Sequence, residues 1–239
     1  MEWTPVLLLG LALLAGAFVQ SSIGFGMAVV AAPFIIVVAP ELMPGALLVT
    51  SFSLPVVQLA HGPRDIAWRP LGWALAARLL VTPLGVAAVA LLSVRAISVV
   101  IGLLILLTVA ASVSTLEVRP TPVTSAVAGA VAGFSGTAAS IGGPFFALVL
   151  QHERPTRVRA TLSAFFLAGA AMAVTGLAVA GEFTVTQLLV GALWAPFIGI
   201  GYALAAPARA RLDRDRLRQA VLVFCVVASV SVIVRALVV

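Results

Sequence analysis

The sequence predicts an all-α, polytopic membrane protein: two inverted repeats, each a broken or re-entrant helix pair plus three transmembrane helices. Three observations carry this expectation. Of 239 residues, 62% are hydrophobic and 9% charged, against about 25% charged in an average soluble domain. So few charges cannot cover a surface, which must therefore face lipid. Long apolar runs at 6–19, 46–60, 71–92, 96–114, 162–181 and 185–206 carry almost no charge, and about 20 apolar residues cross a bilayer as a helix. Two more apolar stretches, 5–40 and 121–151, are interrupted at their centres by glycine, serine and proline. None of the runs alternates polar with apolar residues as a membrane strand does.

The opening run resembles a secretory signal only in its apolarity. It has no basic start, carries Glu2 and leads into further apolar sequence, so it reads as a retained membrane segment. The interruption Gln20-Ser21-Ser22-Ile23-Gly24-Phe25-Gly26 then divides 5–40 into two half-helices. Ordinary spans follow near 42–60, 71–92 and 96–114. The stretch 121–151 holds Gly133-Phe134-Ser135-Gly136 and Ser140-Ile141-Gly142-Gly143-Pro144. As one helix its 31 residues would reach about 46 Å, too long for one crossing of a ~30 Å core and too short for two. Glycine and proline break a helix there, and broken backbone at membrane depth must be buried by protein or water. Spans near 158–180, 185–206 and 218–238 complete the chain.

Charge orders these elements. The net charge of +6 comes with fourteen basic residues, all arginine. In a soluble protein that balance would suggest nucleic acid. Here the arginines sit in short loops between apolar runs, the positive-inside pattern, and no nucleic-acid partner is expected. If both broken stretches are hairpins, the loops at 61–70, 115–122, 151–159 and 207–218 share one side and hold eleven arginines, against Arg95 and Arg235 opposite. A single crossing by 121–151 would carry Arg154, Arg157 and Arg159 to the wrong side. Hairpins put both termini on the outer side. Three crossings per half invert the second repeat, 119–239, relative to the first, 1–118, within one integral membrane domain. Such repeats place a transporter's site near the midplane. Ser22-Ile23-Gly24 matches Ser140-Ile141-Gly142, Thr50 matches Thr161 and Pro83 matches Pro196, at offsets of 118, 111 and 113.

A half-helix that starts inside the membrane aims unpaired N–H groups and about +0.5 of a charge at the cavity, so it binds anions without a buried cation. The expected site combines Gly24 and Gly26 of the first break with Gly142 and Gly143 of the second, which let an anion approach backbone. Ser21, Ser22, Ser135, Thr137 and Ser140 add hydroxyl donors. Arg78 is the one charge inside an ordinary span; it either complements the anion or snorkels to the basic loop. All eight acids fall in loops or at ends, His61 and His152 lie at span ends, and Cys225 is alone. No mid-membrane nucleophile–base pair, metal site or cofactor is expected, and an intramembrane enzyme is the weaker reading. Trp3, Trp68 and Trp73 are placed at interfaces and Trp194 deeper.

At these residues the chain resembles the TauE/SafE family of sulfite and organosulfur anion exporters. The resemblance rests on Gly24-Phe25-Gly26 followed by Pro33, on Gly133-Phe134-Ser135-Gly136 running into Ile141-Gly142-Gly143-Pro144, and on Arg159-Ala160-Thr161 after a basic loop. It implies export of sulfite, sulfoacetate or a related small anion across the inner membrane, with lipid as the other partner. Oligomeric state stays open. The alternatives are a transporter or channel for another small solute, or a scaffold subunit.

Overall fold

A computed structural model describes residues 3–23, 26–61, 65–114, 117–208 and 213–238, with backbone alone for Trp3, His61 and Arg214. These residues form eleven α-helices: α1 (Trp3–Ile23), α2 (Met27–Val38), α3 (Gly45–Thr50), α4 (Ser53–His61), α5 (Trp68–Leu91), α6 (Val94–Val113), α7 (Pro122–Ala138), α8 (Gly143–Val149), α9 (Pro155–Val179), α10 (Val185–Ala208) and α11 (Arg214–Val238). A 3-10 turn, Pro40–Leu42, follows α2. Six of the helices, α1, α5, α6, α9, α10 and α11, are long and apolar enough to cross a membrane.

Two elements depart from the sequence reading. The first arm of 5–40 is no half-helix: α1 has 21 residues, about 31 Å. Conversely, the span expected at 42–60 is interrupted by a turn at Ser51 and Phe52 between α3 and α4. Thr50 and Ser51 turn their hydroxyls back onto Ala46 O and Leu47 O, both at 2.7 Å, and Pro55 has no N–H to give Ser51. Proline alone does not decide this, since α5 runs unbroken through Pro83.

Four contacts gather the arginine-rich loops at one end of the molecule. Arg157 pairs with Asp65 at 3.7 Å. Thr161 Oγ1 accepts the Ala67 N–H at 2.9 Å. Gln151 Nε2 donates to Val118 O at 3.4 Å, and Arg218 donates to Ser112 O. The segment from α7 to α8 thus leaves and returns at the same end. Arg64, Arg209 and Arg211 lie outside the described residues.

Close packing sets the centre. Helix association in lipid lacks a hydrophobic drive and relies on small residues that let backbones approach. A Cβ at Gly129 would lie 2.0 Å from Ala74 O, and one at Gly133 would lie 2.7 Å from Arg78 O, so α7 lies parallel and tight against α5. In the same way α1 runs parallel to α10. The Trp194 indole N–H donates to Val6 O at 2.9 Å, and Gly201 backs onto Leu14 O. Helix α6 packs on α11. The opposite face of α5 presents Leu79, Leu80, Leu84 and Leu91 outward, a face that only lipid satisfies. Trp68 and Trp73 are exposed near its basic-loop end, while Trp194 is fully buried.

Candidate functional site

The two breaks meet in the interior. At the first, α1 ends at Ile23 and α2 starts at Met27. Gly26 is the N-cap residue and offers no side-chain acceptor. Gln20 supplies one from the last turn of α1, its Oε1 accepting the Met27 N–H at 2.7 Å. Beside it the hydroxyls of Ser21 and Ser22 have no hydrogen-bond partner, although Ser22 is only 8% exposed. Gly24 lies outside the described residues.

At the second break, Ser135 O accepts the N–H groups of both Ala139 and Ile141, at 3.0 and 3.1 Å, and closes α7. Ser140 then adopts φ +60°, a left-handed conformation that costs a residue with a Cβ about 1 kcal/mol or more. Its hydroxyl reaches Pro44 O at 3.4 Å. Gly142 and Gly143 start α8, with Pro144 in the first turn, where a missing N–H costs nothing.

A small cavity of about 40 Å³ lies between the breaks, lined by Gly26, Met27, Ser51, Ser140, Gly142 and Gly143 among others. It has room for about one water molecule. A cavity of about 510 Å³ opens towards the arginine-rich end, its wall including Gln20, Ser21, Ser22, Gly143, Glu153, Arg159, Asp215 and Arg218. Another, of about 490 Å³, is walled by the loops of the opposite end, including Glu41, Pro44, Glu182 and Gln187. The Ser140–Pro44 contact lies between the small cavity and this second chamber.

Arg78 does not snorkel. It is 3% exposed, and its Nε and Nη1 have no hydrogen-bond partner. Glycines make the space for its guanidinium: a Cβ would lie 2.0 Å from Cζ at Gly169, 2.7 Å from Nη2 at Gly136 and 3.4 Å from Nη1 at Gly142. The Cζ stands 4.7 Å from the centroid of Phe165. Gly142 therefore faces both Arg78 and the small cavity.

Seven of the sequence-predicted residues gather around these cavities: Ser21, Ser22, Gly26, Ser140, Gly142 and Gly143 in the walls, and Arg78 behind Gly142. Two do not. Ser135 gives its hydroxyl to Val131 O at 2.8 Å, inside its own helix. Thr137 faces Gly85 on α5, where its hydroxyl has no partner. Sequence reasoning missed Gln20, Ser51, Phe165 and Gly169. Gln20 carried a signal, as the first polar residue after an apolar run. Gly169 carried none, because nothing in its own segment marks the arginine of another helix.

The sequence profile of a family described as "Sulfite exporter TauE/SafE" matches residues 8–232. No curated protein and no solved structure matches the chain.

Proposed function

Because the chain belongs to the sulfite exporter TauE/SafE family, a family of membrane transporters, we propose that it exports a small oxyanion, sulfite or an organosulfonate, through a site between its two helix breaks. The observation that carries this reading is Arg78. Taking a guanidinium out of water costs several kcal/mol, and an arginine keeps its charge at any physiological pH. A ring face returns at most about 2 kcal/mol. Among the described residues no carboxylate pairs with Arg78, and their seven acids fall in loops or at helix ends. The partner that balances it is the transported anion, seated at Gly142 with the N–H groups of the breaks and the unpartnered hydroxyls of Ser21 and Ser22 around it.

Inverted repeats are part of the same reading. The buried residues Leu71, Ala74, Arg78, Thr82 and Gly85 of α5 recur as Gln187, Val190, Trp194, Ile198 and Gly201 of α10, each pair 116 positions apart. Helix α5 packs on α7 as α10 packs on α1. Thr50 approaches Gly191 O of α10 at 3.1 Å, while Thr161 holds the start of α5. The two chambers, at opposite ends and separated by the breaks, suit alternating access across the inner membrane, with the arginine-rich end cytoplasmic.

The test is flux into liposomes with sulfite, short sulfonates, sulfate and carboxylates. The purified protein should carry at least one saturably, and Arg78→Gln, still inserted, should carry it at least tenfold more slowly. Wild-type flux in Arg78→Gln removes Arg78 from the site. Absence of saturable flux for every anion in the wild type removes the transport reading.

A further inference from the structure

At the first break a side chain of the protein already occupies the place of an anion oxygen. The start of α2 offers orphan N–H donors, and a 12-residue helix carries a real partial charge there. Its first donor, Met27 N–H, is taken by Gln20 Oε1 at 2.7 Å, across the break rather than from the N-cap. Gln20, with Gly26, Gly143, Pro144 and Phe166, borders both the chamber of about 510 Å³ and the small cavity of about 40 Å³, so its side chain is part of the wall that parts them. Next to it in the chamber wall, the Ser22 hydroxyl is nine-tenths buried and has no partner. A buried hydroxyl without a partner costs about 1–3 kcal/mol, which an oxyanion admitted beside it would recover.

We propose that Gln20 is a displaceable stand-in for one oxygen of the substrate. It holds the Met27 N–H while the site is empty and yields it to the entering anion, which also satisfies Ser22. Swinging aside, the same side chain opens the wall between chamber and small cavity. The anion thus competes with a tethered neutral amide, and only a ligand whose oxygen is a stronger acceptor than an amide carbonyl displaces it. This deepens the proposed function and rests on its reading of the breaks as the anion site.

Two variants test it in liposomes, with sulfite and methanesulfonate as probes and thermal unfolding as the second readout. Gln20→Glu keeps the shape and installs a tethered carboxylate, the stronger acceptor. It should raise thermal stability and raise KM at least tenfold. Gln20→Ala vacates the donor; it should lower stability and leave KM equal to or below the wild-type value. Gln20→Glu with wild-type KM overturns the proposal while wild-type flux keeps the transport reading. A tenfold rise in KM for Gln20→Ala with none for Gln20→Glu also overturns it, because Gln20 would then only brace α2. Failure of the wild type to carry either probe, or to be stabilised by it, removes the underlying reading and this inference with it.

Discussion

Burial of Arg78 sets a cost in stability against the anion-binding role proposed for it. Replacing a buried ion by an apolar residue of similar volume is often stabilising by about 1–4 kcal/mol, since no counter-ion is orphaned in exchange. Arg78→Met should therefore raise the thermal unfolding temperature of the empty protein in detergent while abolishing anion flux. Gly169→Ala should do the reverse to stability, because the added methyl would lie 2.0 Å from Arg78 Cζ, and overpacking costs about 1–3 kcal/mol. The double variant should recover most of that loss, since residues in contact are not additive. An unfolding cycle in which the two effects simply add would mean that the glycine does not shape the arginine's space. The sequence made Arg78 legible as the one charge within an ordinary span. It did not say which way the side chain turns, because that depends on the neighbours of α5, and those come from the other half of the chain.

Among the helices, the breaks were readable and the lengths were not. Glycine, serine and proline at 20–26 and 140–144 stop helices by local chemistry that needs no tertiary context. How far α1 runs before its break depends on packing beside α10, and α1 extends to 21 residues. The interruption between α3 and α4 falls where Thr50 and Ser51 turn their hydroxyls onto their own helix, which the apolarity of 42–60 concealed. The contact of α5 with α7 gives the sharpest expectation at this scale. Gly129 meets the Ala74 backbone, which cannot yield, whereas a Cβ at Gly72, on the outward face of the same α5, meets nothing within 4 Å. Gly129→Leu should leave little monodisperse protein on size-exclusion chromatography in detergent, and Gly72→Leu should elute as the wild type. Equal recovery of both would mean that α5 and α7 are not held by close backbone approach.

Across the whole molecule the two chambers differ in charge. Arg159 and Arg218 stand beside Glu153 and Asp215 in the wall of one, Glu41 and Glu182 in the wall of the other. The two arginines offset the repulsion of the two acids for an approaching anion, and salt weakens such charge effects, with a Debye length of about 10 Å at 0.1 M. Arg159→Gln combined with Arg218→Gln should lower the flux of an anion supplied from that end severalfold at about 0.02 M salt, and the deficit should shrink at about 0.3 M. A deficit independent of salt would mean that these arginines act by contact and not by attraction. Between the chambers stand the Ser140–Pro44 contact and a void of about 40 Å³. Where water fills both chambers, the membrane voltage falls across that barrier and not across the full bilayer. A substrate carrying one negative charge then gains or loses about 2.3 kcal/mol per 100 mV across that barrier, so a cell negative inside would drive such a substrate outward there.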